Sequence, residues 1–380
     1  MIPFLVITIV TWLLGLACSL HYLRLANIAK EAKEQDTHIT SYPSVSIVMT
    51  VHNQAHNLRQ NLPAILAQEY PEPFEVIIVD MNSDDDTQKL LEGMEKQYMH
   101  LHHTFCPDTA RDISLSRLAL TLGFRSACYE WVLIMSPNAY PLSGDWLKSM
   151  ALYMTKDVDA VQGFVRYGHP KGWSGIKQHF FRLWQQSIWM PWCTHFAPYR
   201  ADDSCLAYRK SLFMQHQGFA SNFSLRYGAA DLMVNHNVSC KRMGLAITAQ
   251  ATLQETQKSA EEWEQQRMFF METRHHMHHS FLYRAWYATR LHACHIWILP
   301  AIYIILFLQP HINIMYSFAV MWLLSLITAC LSWHIMTRRL HVPSYALLLP
   351  VLQALIPWWD LNAWVHWRLE SKKTFRKKFV

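Results

Sequence analysis

Glycine is scarce in this chain, with 11 in 380 residues, and none of them builds a G-x-G-x-x-G turn or a G-x-x-x-x-G-K-[ST] loop. That excludes the dinucleotide and Walker types of phosphate cradle. A bound diphosphate would need a metal or cationic side chains instead. Paired cysteines are missing as well. The eight Cys include no Cys-x-x-Cys pair, and no His stands at zinc-site spacing from any of them, which excludes the common structural zinc modules and suggests free thiols in a reducing compartment. Charge is sparse: 16% of residues are charged against 51% hydrophobic, a balance that departs from ordinary soluble proteins. Asp and Glu are nearly absent from both ends and concentrate between residues 30 and 275. The net charge of +6 comes from Lys and Arg clustered beside the apolar ends, where anionic lipid headgroups attract them, so membrane lipids are the expected partner and no nucleic acid is expected.

What is present at the ends is long apolar sequence. Residues 2–22 carry no Asp, Glu, Lys or Arg, and that length lets a helix cross a hydrocarbon core of about 30 Å. Arg24, Lys30 and Lys33 follow the run, which argues against a cleaved signal peptide and, by the positive-inside tendency, holds the downstream side in the cytosol. Two further spans are expected at 292–309 and 313–336, joined by Gln309-Pro310-His311 and followed by Arg338 and Arg339. The run 342–359 is interrupted by Pro343, Pro350 and Pro357 and leads to a tail with Lys372, Lys373, Arg376, Lys377 and Lys378. Crossing there would place the basic tail outside, so a re-entrant or interfacial segment is expected. The expected layout is an anchor at 1–25, a cytosolic domain at 26–290 with interfacial helices, a hairpin at 291–340 and a returning segment at 341–380. The expected location is the cell membrane, multi-pass, with the main domain cytosolic.

Between the anchors strand and helix patterns alternate, which predicts an α/β domain with a mixed, mostly parallel sheet flanked by helices. Strands are expected at 45–50, 75–79 and 131–135, and a helix at 57–68 with Leu58, Leu62, Ile65 and Leu66 on one face. In open sheets of this kind ligands bind beyond the carboxyl ends of the strands. The segments after Thr50, Val79 and Met135 are therefore expected to meet at one crevice.

The motifs in these segments are Asn53 after the first strand, Gln68-Glu69-Tyr70-Pro71 after the first helix, and Asp80-Met81-Asn82-Ser83-Asp84-Asp85-Asp86-Thr87 after the second strand. Downstream stand Val158-Asp159-Ala160-Val161-Gln162-Gly163, Ala207-Tyr208-Arg209-Lys210 and Gly228-Ala229-Ala230-Asp231-Leu232. In order and spacing, over about residues 43–275, this set resembles the family 2 glycosyltransferases with a GT-A fold. The resemblance implies a nucleotide-sugar donor, a lipid-linked or glycan acceptor, a divalent cation (Mg or Mn), and a carboxylate that deprotonates the acceptor hydroxyl. Carried over residue by residue, it assigns donor contacts to Thr50, Asn53, Asp80, Asn82, Ser83 and Asn138, the base to Asp231, and the acceptor or product side to Arg209, Gln266 and Arg267.

The chain also departs from the family pattern. Met81 stands where the family has a uracil-contacting carboxylate. Asn138, in Met135-Ser136-Pro137-Asn138-Ala139, stands where its metal-binding Asp-x-Asp ends. The acceptor-site acid pair falls on Ala229-Ala230, and Gln266-Arg267-Met268-Phe269-Phe270 stands in place of Gln-x-x-Arg-Trp. Two functions follow: inverting transfer of a hexose-type sugar in glycan or polysaccharide biosynthesis, or a catalytically silent relative that binds nucleotide, glycan lipid or a partner transferase.

Other clusters have plainer readings. Asp84-Asp85-Asp86 ahead of Thr87 is expected to cap a helix rather than to bind metal. His275, His276, His278 and His279 are expected to face headgroups rather than zinc. The aromatic stretch 176–192 fits an amphipathic element at the membrane surface, or equally a hydrophobic lid or core helix.

Overall fold

The computed structural model describes residues 2–34, 41–107, 114–219, 229–278, 280–291 and 312–369. The expected span 292–309, its Gln309-Pro310-His311 turn, Gly228, His279 and the basic tail lie outside them. Two units emerge, one comprising Met1–Glu31, Lys171–Pro191 and His279–Asn362, the other Ala32–Pro170, Trp192–His278 and Ala363–Val380. Within the stretch expected at 26–290, residues 171–191 interrupt the second unit, and residues 26–31 and 279–290 at its two ends also group with the helical unit.

The strands of the second unit are β1 (Val45–Val51), β2 (Phe74–Asp80), β3 (Leu101–Phe105), β4 (Trp131–Met135), β5 (Ala139–Pro141), β6 (Ala160–Gly163), β7 (Val165–Tyr167), β8 (Cys205–Arg209), β9 (Met243–Ala246) and β10 (Leu253–Glu255). Seven form one sheet in the order β3-β2-β1-β4-β8-β6-β9, and β5-β10-β7 form a second. β1 runs parallel to both β2 and β4, β3 runs parallel to β2, and β8 is antiparallel to β4 and β6. The sheet is mixed and mostly parallel, as expected.

β1, β2 and β4 read as almost unbroken Val, Ile, Leu and Met because both faces of the sheet are covered, and nearly every one of their side chains is buried. Leu58, Leu62, Ile65 and Leu66 of the Ala55–Leu66 helix form the predicted apolar stripe, each contributing about 1.5–3 kcal/mol on burial. One polar residue inside β2 has a structural task. Glu75 is buried, and its Oε1 accepts hydrogen bonds from Ser46 Oγ (2.6 Å) and from the Cys128 N–H (2.6 Å), while Tyr129 N–H donates to Ser46 Oγ (3.1 Å). The entry to β4 is thereby tied to β1 and β2 at the end away from the crevice.

In the helical unit, the helices Ile2–Leu20 and Tyr22–Glu34 follow each other with a single turn residue between them. This pair runs parallel to the Ile312–Arg339 helix: Ser332 Oγ donates to the Ser19 carbonyl (2.8 Å), Tyr22 meets the Trp333 ring edge-on, and Arg339 donates to Asn27 Oδ1 (2.7 Å). The basic ends of both helices therefore lie at one end of the bundle. By length and composition, Thr8–Ala32 and Tyr316–Arg339 could each cross a membrane.

The aromatic stretch forms a continuous helix, Gly172–His195, with Pro191 inside it. Phe180 packs on Trp333, Phe181 on Trp359, and Trp184 on Tyr287. Phe180, Phe181, Leu183, Trp184, Ile188 and Trp189 are buried. Of the two expectations for this stretch, the core helix holds and the surface-lying element is corrected, because neighbouring helices already cover its rings.

The Leu115–Ser126 helix approaches β1 at Gly123, where a Cβ would lie 2.3 Å from Val48 Cγ1. Val48 is fully buried and β-branched, so it has little room to turn aside. Gly123→Ala is expected to destabilise the purified protein by about 1–3 kcal/mol through overpacking; an unchanged chemical-denaturation midpoint would show that the helix is not seated on β1.

Candidate functional site at the strand ends

Register places three strand ends side by side. Val51 pairs with Asp80, and β1 pairs on its other side with β4 through Val48 and Ile134. Parallel pairing makes all three carboxyl ends emerge at the same edge of the sheet. Thr50 is the last but one residue of β1, and the segments His52–Asn53, Met81–Ser83 and Ser136–Asn138 follow.

The first two loops interlock. Met81 N–H donates to the Val51 carbonyl (2.8 Å), Asn53 N–H to Ser83 Oγ (2.9 Å), and Asp84 N–H to Asn53 Oδ1 (2.8 Å). Asp80 Oδ1 accepts from both Ser83 N–H (3.1 Å) and Ser83 Oγ (2.6 Å). Asn53 and Asn82 adopt left-handed backbone, with φ of 52° and 59°, a conformation asparagine tolerates better than most residues with a Cβ. Asn53, Asp80, Asn82 and Ser83 are thus gathered at one place, with Asp80 and Ser83 bonded to each other.

Across β1, Asn138 sits between β4 and β5. Its Oδ1 accepts from Asn57 Nδ2 (2.7 Å), its carbonyl accepts from Thr256 N–H (3.2 Å), and Asn61 Nδ2 donates to the preceding Pro137 carbonyl (3.0 Å). Two amides of one helix therefore hold this loop. β8 adjoins it, since Met135 pairs with Cys205 and Ser136 N–H donates to the Ser204 carbonyl (3.3 Å).

Within this framework the Glycosyl transferase family 2 model matches residues 46–216. That stretch of the chain is similar to the family 2 glycosyl transferases. Glycosyltransferase AglE of Haloferax volcanii is 25% identical over 142 residues, which is 37% of this chain and 45% of that protein. Among solved structures, the mannosyltransferase PcManGT from Pyrobaculum calidifontis, in complex with GDP-Man and Mn²⁺, matches with a TM-score of 0.52 at 16% identity, covering 92% of this chain and 99% of that one. S. aureus TarS 1-349 in complex with UDP-GlcNAc matches with a TM-score of 0.43 at 14% identity, covering 88% and 92%. The fold resembles the GT-A fold of the mannosyltransferase.

The divalent cation implied by the family does not fit the residues present. At the Asp-x-Asp position the only ligand-type side chains are Ser136 and Asn138, and the Asn138 oxygen is already bonded to Asn57. Among the described residues, no group of three or more His, Cys, Asp or Glu could hold a metal ion. That includes the histidines: the His278 ring packs against that of His236 and His275 stacks on Trp367.

Asp231 lies in the first turn of the Ala230–Asn237 helix, with its side chain only 12% exposed. It accepts from Ala201 N–H (2.9 Å) and pairs with Arg200 (3.6 Å), whose guanidinium lies over the Phe270 ring. Burial raises its pKa, and the Arg200 charge opposes that shift. The residue expected as base is built into an ion pair.

Arg209 is a clearer correction. β8 runs antiparallel to β4, so Arg209 faces Trp131 at the opposite end of the sheet from the crevice. There it donates to the Val158 carbonyl (2.8 Å) and the Thr155 carbonyl (2.8 Å), stacks on Trp131 and adjoins Asp159. Its role is to close the sheet, and the acceptor-side assignment falls. Gln266 is half-buried on the Ala260–Thr273 helix, and Arg267 is buried there over the Trp263 ring one turn earlier.

Sequence reasoning missed one residue. Asp203, between the Asp231-bound loop and β8, is accessible to solvent yet desolvated by the protein around it. That desolvation, reinforced by Asp202, Asp231 and Glu255 and opposed by Lys258, pushes its carboxyl up to about 6. The signal available was an Asp-Asp pair directly before a strand that neighbours β4. In the acidic run expected to cap a helix, the Asp85 carboxylate accepts from Ala55 N–H (3.1 Å) and from Thr87 N–H (3.0 Å), the first residues of two different helices. The capping expectation for the acidic run holds, but it falls on Asp85 and reaches two helices. Asp86, at the N-cap position, makes no side-chain cap.

Burial alone would raise the Asp85 pKa, but hydrogen bonds from Thr87 and from backbone N–H groups outweigh it and hold the carboxyl below its ordinary value. Its contribution is therefore complete above the ordinary carboxylate pKa and is lost as pH falls through the depressed folded-state value. Asp85→Ala is expected to cost about 1–2 kcal/mol at neutral pH, with the gap to wild type closing in acid. A gap that persists below that folded-state value would rule out the charged cap.

Proposed function

We propose that this chain transfers a sugar from a nucleoside-diphosphate sugar to an acceptor at a membrane, with inversion at the anomeric carbon. The observation that carries the reading is the in-register meeting of the ends of β1, β2 and β4 within the stretch similar to family 2. Such an edge accepts a nucleotide, because the strand-end loops present backbone and amide groups to it. Asn53, Asn82 and the outward face of the Asp80–Ser83 turn would contact the donor, and Asn138 would approach it from the β4 side. The similar solved structure in complex with GDP-Man supports a sugar nucleotide as donor.

The residues at the Asp-x-Asp position, Ser136 and Asn138, supply no carboxylate to hold a metal. Two helices long and apolar enough to cross a bilayer, with their basic ends together, support a membrane setting with those ends in the cytosol. A lipid-linked or membrane-proximal glycan acceptor suits that setting, as does a place in polysaccharide assembly.

A second reading, nucleotide or glycan binding without turnover, is favoured by Asn138, Ala229 and Ala230 standing where the family has acids. One experiment separates the two. The purified full chain is given GDP-mannose, UDP-GlcNAc or UDP-glucose with membrane lipid extract, and released GDP or UDP is measured beside nucleotide binding. Release that tracks sugar transfer is expected, and the protein should stay with membranes through an alkaline carbonate wash. Binding without release would establish the silent reading, and neither binding nor release would end both.

A further inference from the structure

An acceptor hydroxyl needs a carboxylate that is ionised, reachable and beside the anomeric carbon. The carboxylates near the strand ends differ in how far each is committed elsewhere. Asp80 Oδ1 is held by Ser83, Asp85 caps two helices, and Asp202 accepts from Ser204 N–H (3.0 Å). Glu255 is completely buried and paired with Lys258 (3.3 Å). Asp231 is buried against Arg200 and Ala201. Asp84 is exposed but stands on the β1–β2 side, where the donor is expected.

Asp203 differs from all of these. It is accessible and makes no hydrogen bond among the described residues, and its loop is fixed from both sides. On one side Gln162 of β6 donates to the Asp202 carbonyl (3.1 Å) and accepts from Asp202 N–H (2.9 Å). On the other, Asp231 accepts from Ala201 N–H, and Asn235 Nδ2 donates to the Pro198 carbonyl (3.2 Å). The next residue, Ser204, is bonded to Ser136. The carboxylate thus stands beside the loop that follows β4, on the β8 side of the crevice, away from the interlocked β1 and β2 loops.

We propose that Asp203 is the base of the transfer reaction and that Asp231 is a positioning residue that fixes the loop carrying it. The inference rests on the transferase reading above. In the step, the acceptor O–H bond breaks and its proton passes to the Asp203 carboxylate. The acceptor oxygen's electron pair forms the new bond to the anomeric carbon. The bond from that carbon to the diphosphate oxygen breaks, and its electrons leave with the nucleoside diphosphate. Backside attack inverts the configuration.

Desolvation and the charges of Asp202, Asp231 and Glu255, against that of Lys258, bring Asp203 near the pH at which a base both ionises and accepts a proton well. The base works only when ionised, so turnover should rise with pH through about 6 and then level off.

The test uses the purified full chain with GDP-mannose, UDP-GlcNAc and UDP-glucose, measuring sugar-nucleotide hydrolysis and transfer across pH, with GDP and UDP binding measured in parallel. Asp203→Asn is expected to lower kcat by about 10²–10⁴-fold with nucleotide affinity unchanged, and Asp203→Glu to recover part of the loss. Asp231→Asn keeps an oxygen to accept from Ala201 N–H but removes a negative charge beside Asp203, so its turnover should fall less than that of Asp203→Asn and its pH midpoint should move downward. If wild type turns over and Asp203→Asn matches it, or if Asp231→Asn abolishes turnover at every pH, the assignment to Asp203 is overturned and the transferase reading stands. If wild type releases no nucleotide from any of the three donors, both fall together. Should Asp203→Asn lose nucleotide binding through misfolding, the Asp231→Asn midpoint decides, an unmoved midpoint counting against the proposal.

Discussion

Parallel pairing of β1 with β2 on one side and β4 on the other is the constraint on which the rest of the domain depends. A parallel ladder forces strand ends of the same polarity to one edge, so the loops that follow cannot avoid each other. Those loops have then been bonded together: Asn53 and Ser83 lock the first two, and Asn57 and Asn61 lock the third. The ladder is strong because it is dry. Buried Val, Ile and Leu hold the strands face to face with the helices, and Glu75, with Ser46 and the Cys128 amide, ties its far end.

The same ladder explains why β8 matters for chemistry. Being antiparallel to β4, it brings its amino end, with Asp202 and Asp203, to the crevice and carries Arg209 to the other end. A cation expected at the site thereby becomes a sheet clamp, and an overlooked carboxylate takes its place at the edge. Where the Asp-x-Asp position lacks acid, Asp202 and Asp203 stand just before β8, which pairs with β4, and Glu255 on β10 pairs with Ala139. Glu255 is neutralised by Lys258, leaving Asp203 as the accessible one.

Much of this architecture was legible from local pattern. The β-branched run from Val45, the run ending at Val79 and the five residues from Trp131 all form strands within a residue or two of expectation. The helix expected at 57–68 begins two residues earlier, because Asp85, distant in sequence, accepts from the Ala55 amide. Strand direction was not legible, because alternation and β-branching are the same in either direction, and this misassigned Arg209. Nor could pattern reveal that Asp231 meets Arg200, since both the ion pair and the stacking on Phe270 join segments far apart in the chain. The aromatic stretch was ambiguous for a related reason: Trp and Phe suit an interface and a helix-packed interior equally, and only the rings of Trp333, Trp359 and Tyr287 decide it.

The central claim is that a nucleotide occupies the edge where β1, β2 and β4 end. Hydrogen–deuterium exchange of the full chain with and without GDP or UDP tests it directly. Slower exchange is expected in peptides spanning residues 51–54, 80–85 and 135–138, with the helices at 172–190 and 316–339 unaffected. Protection confined to those helices, with the three strand-end loops unchanged at saturating nucleotide, would contradict the account.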